Sequence, residues 1–195
     1  HVLDFHADED HNRTVVTFIG PPNEVAEAAF QAVKRASELI DMDYHTGSHP
    51  RLGATDVVPF VPISGVSMED CIQLCRQLAE RIGSELQIPV YLYEEAALLK
   101  ERKNLEKVRK GEYELLKQEI QSNPERKPDF GPMTLSTAGA TIIGARNPLI
   151  AFNVYLDTDD IQKAKLIAHA IRESSGGLPY VKALGMMVHG LAQVS

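Results

Sequence analysis

The stretch Tyr44–Ile63, YHTGSHPRLGATDVVPFVPI, decides how this chain is read. Its first part sets two histidines, an arginine and an aspartate among Gly47, Pro50 and Gly53, which exclude a regular helix. Its second part, Val57 to Ile63, is apolar throughout and predicts a buried strand. Upstream, Val25, Ala29, Phe30, Val33, Ala36 and Ile40 recur at helical spacing, while Glu24, Glu27, Lys34 and Glu38 face water. A polar loop is thus held between a helix and a strand, the setting in which loops carry function.

Within that loop, Pro50 biases His49 towards extended backbone and so fixes its direction. An imidazole titrates near neutral pH and can take a proton from an attacking amine and return it to a leaving one. Arg51 projects to the same side if the segment is extended and offers a cationic fork to a carboxylate. Gly53 admits close backbone approach, and Asp56 either orients an imidazole or caps a turn. The same residues allow a zinc set of His45, His49 and Asp56. A His-x-x-x-His pair needs a helix to bring both rings to one face, however, and Gly47 with Pro50 opposes that helix.

Composition narrows the classes. The chain has 195 residues, 44% apolar and 24% charged, enough for one sizeable core or two small ones. No run approaches the length of a membrane span and no basic start precedes an apolar segment, which predicts a soluble, cytoplasmic protein with no membrane partner. A formal charge of −7 opposes long-range attraction to nucleic acid. Anionic ligands would need local cations, for which Arg13, Arg51, Arg146 and Lys182 are candidates. Cys71 and Cys75 share a stripe with Met68, Ile72 and Leu78, which makes them core thiols and no disulfide framework.

In order, Val2–Phe5 and Arg13–Ile19 predict a hairpin across the acidic turn His6–His11, and a helix begins at Pro22. Ser67 caps a second helix running to Leu86, Val90–Tyr93 is a strand, and Leu98–Gln121 is helical in two pieces interrupted at Gly111. Ser122–Pro132 has the composition of a linker. Thr137–Ala145, TAGATIIGA, predicts a strand approached closely by another backbone or a ligand. From Asn147 a β-α-β-β unit follows: a strand Leu149–Leu156, a helix capped near Asp157–Asp160 and ended by Gly176–Gly177, then strands Tyr180–Val188 and Leu191–Val194. The whole is an α+β chain with mainly antiparallel sheets covered on one face by helices, divided as 1–147 and 148–195.

The run HPRLGATDVVPFVPI, preceded by ELIDMDYHTGS, resembles the formiminotransferase family. HNRTVVTFIGPP, PVYLYEEAA, LEKVRKGEYE, PDFGP, TAGATIIGARNPLIAFNVYL and LAQVS resemble it in the same order, so the likeness covers most of the chain. It implies ferredoxin-like α/β sandwich subdomains, with an opening strand preceding His1 and the second subdomain incomplete at Ser195. It further implies transfer of a formimino group from N-formimino-L-glutamate to tetrahydrofolate as co-substrate, in histidine degradation and one-carbon metabolism, without a metal. By resemblance His49 is the catalytic histidine, with Arg51 beside it holding a carboxylate or steadying the intermediate. Gly131, Pro132 and Gly139, then Val181 and Gly185, fall in folate-contacting segments. The first segment is one residue shorter than in the family, and the second lacks basic residues that some members carry. His6 stands where some members have an acidic residue, leaving Asp4, Asp8 and Asp56 as candidate helper carboxylates. A homodimer and a fused or associated cyclodeaminase are implied partners. Two other functions fit the residues: formyl transfer between 5-formyl-tetrahydrofolate and glutamate, and a catalytically idle folate-binding or assembly domain.

Overall fold

Charge and turn chemistry reverse the chain at its start, where strand β1 (Val2–Asp8) pairs antiparallel with β2 (Arg13–Phe18), ending with Asp8 opposite Arg13. The hairpin exposes apolar side chains on both faces, Val2, Leu3 and Phe5 among them. Pro22 opens helix α1 (Pro22–Leu39), whose stripe buries Ala29, Phe30 and Val33. The computed structural model describes all of residues 1–195, which form two units, His1–Pro148 and Leu149–Ser195.

After the loop comes β3 (Val57–Phe60), then α2 (Met68–Arg81), which starts in a reciprocal capping box between Ser67 and Asp70. It continues through a π turn to Leu86, and β4 (Val90–Glu94) follows. Two short helices, α3 (Leu105–Val108) and α4 (Glu112–Glu119), flank Gly111, whose φ of 78° makes the break. Strand β5 (Thr141–Ala145) closes the first unit.

The central sheet has the order β3-β5-β4 and both pairings are parallel. The other two sheets, the opening hairpin and the sheet of the second unit, are antiparallel as expected, so the expectation of antiparallel strands with helices on one face is corrected for the central sheet alone. Parallel strands leave both faces to be covered, and both are. On one side Val90, Leu92, Ile143 and Ala145 pack with α1 and α2, around Phe30, Cys75 and Leu78. On the other, Tyr91, Tyr93 and Ile142 pack with Leu52 and with Val108, Leu116 and Ile120 of the α3–α4 region. Cys71 and Cys75 are buried free thiols, and burial pushes Cys75 up to about 12, which leaves it unreactive.

The linker reading of residues 122–132 is also corrected. Phe130 and Val90 exchange backbone bonds of 3.2 and 2.9 Å, and Asp129 accepts from Leu92 N–H at 2.7 Å and Arg102 at 2.6 Å. The segment is a strap that shields the β4 edge; Asp129 and the carbonyls of Glu125 and Lys127 serve internal partners, while the residues Ser122, Glu125 and Lys127 stay exposed.

In the second unit, β6 (Val154–Tyr155), α5 (Ile161–Ile171), β7 (Gly185–Val188) and β8 (Leu191–Val194) form an antiparallel sheet of order β6-β8-β7. This is a β-α-β unit split by an inserted antiparallel third strand. Ala164, Ala168, Ala183, Ala192 and Val194 make its small core. Its strands are shorter than the apolar runs predict: residues 149–153 and 180–184 lie outside them. No helix in the chain is long and apolar enough to cross a membrane.

Candidate active site

The loop at 44–56 is secured from three directions. First, the hairpin turn clasps it: Ser48 donates through N–H and Oγ to Asp10 O at 3.1 and 2.8 Å, and Asn12 Nδ2 donates to Thr46 O at 2.7 Å. His45 Nε2 meets Asn12 O at 2.9 Å. Gly47 fits only as glycine, because a Cβ there would lie 2.3 Å from His11 O.

Second, the loop's end is stitched to the approach of β5. Ala140 N–H donates to Leu52 O at 3.0 Å, Ala54 N–H to Ala138 O at 2.8 Å, and Ile142 N–H to Asp56 O at 2.9 Å. Gly139, at φ 70°, would push a Cβ to 2.3 Å from Leu52 O, and Gly53 would meet Ala140 O equally closely. Ala138, Gly139 and Ala140 of TAGATIIGA are small for backbone contact with this loop, whereas Gly144 makes room for the Tyr93 ring. Gly131 has a similar structural cause, since its Cβ would lie 2.5 Å from Ile88 O.

Third, α4 holds Arg51. Its guanidinium donates to Glu112 at 2.7 Å, to Glu114 at 2.6 and 3.1 Å, and to His45 O at 3.2 Å. Glu112 is aimed by a left-handed backbone, φ 56°, directly after Gly111. Nearby, Tyr113 donates to Asp43 at 2.6 Å, and Lys117 pairs with the same carboxylate. Arg51, expected to face a ligand, has its charge engaged by two glutamates.

His49 sits half-buried at the centre of these ties. Its Nδ1 lies 2.8 Å from the Pro50 carbonyl, which can only accept, so Nδ1 carries the proton and Nε2 presents a lone pair. Desolvation first, and the charges of Arg13 and Arg109 in the same direction, together lower the imidazole pKa from 6.5 to about 4. His11 approaches edge-on with ring centroids 5.7 Å apart, its Nδ1 lies 2.9 Å from Asp8, and its backbone N–H donates to the same carboxylate at 2.8 Å. At neutral pH His49 is therefore an uncharged base between guanidinia.

Asp56 does not orient an imidazole. It accepts from Leu52 N–H at 2.9 Å and pairs with Arg109, while burial pushes its own pKa up against those partners. The zinc set is overturned on the same ground. His45, His49 and Asp56 are turned to three different partners and do not form a ligand group.

The residues expected to contact folate are divided between the units. Gly131, Pro132 and Gly139 lie in the first; Val181 and Gly185 lie in the second, where Val181 O accepts from Glu173 N–H and Gly185 packs on the α5 backbone. His11 and Arg109 escaped notice in the sequence. Arg109 sits in a charged run that looks like a solvated helix face, and only the fold turns it inward.

A half-buried imidazole on a tied loop, with Nε2 available and the charges of Arg13 and Arg109 acting on it, is chemically able to accept a proton. Residues 1–146 match the family described as formiminotransferase domain, N-terminal subdomain, and the chain belongs to that family. It is 50% identical over its full length to a glutamate formimidoyltransferase of Streptococcus pyogenes serotype M1, of which it covers 66%. It is 49% identical over 96% of its length to one of Thermoplasma acidophilum, of which it covers 62%. A formimidoyltransferase-cyclodeaminase of Mus musculus is 44% identical over the whole chain, which covers 37% of it. The chain thus spans less than two thirds of the length of these relatives.

Proposed function

We propose that this chain carries the reacting histidine of a glutamate formimidoyltransferase, moving the formimino group from N-formimino-L-glutamate to tetrahydrofolate. The observation that carries this is the state of His49, neutral, with Nδ1–H held by Pro50 O and Nε2 available. The relatives' names supply the substrate class.

In this reading N5 of tetrahydrofolate attacks the formimino carbon and His49 Nε2 takes the proton that N5 loses. The imidazolium then returns a proton to the glutamate nitrogen as its bond to carbon breaks, giving 5-formimino-tetrahydrofolate and glutamate. One imidazole serves both transfers, and such proton transfer contributes about 10²–10⁴-fold. Gly131, Pro132 and Gly139 in the first unit and Val181 and Gly185 in the second are assigned to folate. The split β-α-β unit at 154–194 is read as the opening of a ferredoxin-like subdomain, and a cytoplasmic homodimer is the expected assembly.

Single-turnover transfer, followed through absorbance of the folate product, tests the reading. His49→Ala is expected to lower the rate at least 100-fold while tetrahydrofolate still binds. Full activity in that variant would remove His49 from its role.

A further inference from the structure

The cations that act on His49 are Arg13 and Arg109, and Arg51 is not among them. Arg13 follows Asn12, whose bonds to His45 and Thr46 fix the start of β2 against the loop. Its guanidinium, on an exposed residue, makes no hydrogen bond or ion pair within the protein, whereas Arg51 is paired with Glu112 and Glu114 and keeps only its buried Nε without a partner. Arg109 gives one nitrogen to Asp56 and keeps a buried Nε without a partner. The nearby carboxylates are already used: Asp8 accepts from His11 N–H, and Asp56 accepts from Leu52 N–H and Arg109. Like charges at close quarters are costly, and Arg13 is held below its ordinary range by burial and by Arg109. Arg13 and Arg109 are matched in number by Asp8 and Asp56, but donors are left over: Arg13 bonds to neither carboxylate and Arg109 Nε has no partner, and a bidentate anion would take up those donors.

We propose that Arg13 and Arg109 form a carboxylate subsite beside His49, filled by a carboxylate of the amino-acid substrate, while Arg51 secures the loop. This rests on the transferase reading and deepens it. The subsite also couples binding to chemistry. A carboxylate there offsets the two charges that depress His49, so the imidazole becomes a stronger base once the substrate is in place. The groups facing His49 are His11, Arg13 and Asp8 from the hairpin and Arg109 and Asp56 behind it. Arg51 is engaged separately by Glu112 and Glu114, one cation between two carboxylates.

The test is calorimetric titration of L-glutamate, and separately of tetrahydrofolate, into the whole chain and its Arg13→Gln, Arg13→Lys and Arg51→Gln variants. The His49 ring is followed by NMR against pH with and without glutamate. Arg13→Gln is expected to weaken glutamate binding at least 10-fold at unchanged melting temperature, with Arg13→Lys between it and the parent. Glutamate should raise the His49 pKa in the parent and not in Arg13→Gln. Unchanged glutamate affinity in Arg13→Gln, or a 10-fold loss in folded Arg51→Gln, overturns the proposal. If Arg13→Gln weakens only tetrahydrofolate, and tetrahydropteroate lacking the glutamyl tail is insensitive, the carboxylate belongs to folate and the amino-acid assignment fails. Transfer that persists without dependence on Arg13 defeats the subsite alone; absence of transfer by the parent defeats the underlying reading.

Discussion

His49 is neutral because its surroundings make charging it expensive, and pH measures that directly. Its folded pKa, about 4, lies below the ordinary 6.5, so between those values the unfolded chain binds more protons than the folded one. The stabilising contribution is complete above pH 6.5 and is lost as pH falls through about 4, worth up to about 3 kcal/mol over that window. Melting temperature against pH should show this slope in the parent, and His49→Gln should flatten it. The acidic limb of kcat/KM, which reports the free protein, should likewise fall near pH 4. In Arg13→Gln that limb should move up towards 6.5, because one of the two depressing charges is gone.

At the scale of elements, the loop is positioned by its neighbours more than by its own conformation. Arg51→Ala removes ion pairs to Glu112 and Glu114 and the bond to His45 O, and leaves the two glutamates facing one another. With both partners substantially exposed, about 1–2 kcal/mol is expected, a fall of about 3–6 °C in melting temperature. Gly139→Ala should cost more than about 2 kcal/mol, since positive φ and contact with Leu52 O act together. Gly176→Ala provides the comparison: its φ is 87°, but a Cβ there meets nothing, so about 1 kcal/mol is expected. Only Gly139→Ala should also impair transfer, because it displaces the Leu52–Gly53 backbone.

For the whole molecule, the two units differ in what they can bury. Residues 1–148 enclose a parallel sheet between two apolar layers, whereas residues 149–195 bury six small or medium apolar side chains and leave Ile150, Phe152 and Tyr180 exposed. A core of that size rarely sustains a fold below about 70 residues. Residues 1–148 produced alone should therefore melt cooperatively by calorimetry, and residues 149–195 alone should show no cooperative transition.

Local pattern carried a good part of this. The helical stripe of α1, the Ser67 cap, the break at Gly111, the hairpin across His6–His11 and the prominence of the His49 loop follow from spacing and turn chemistry, which act over a few residues. Tertiary structure decided the rest. Strand direction in the central sheet depends on which strands meet, and Val57–Phe60 reads the same whether its neighbour runs with it or against it. Residues 122–132 look like a linker until Arg102 and the β4 edge claim their polar groups. Arg51 next to His49 promises an anchor, yet Glu112 and Glu114, about sixty residues on, neutralise it. Arg13 and Arg109 flank the imidazole only because the hairpin and the α3 region fold onto one loop. Charge is a property of residues, but whether it is free to meet a ligand is settled by what the fold places around it.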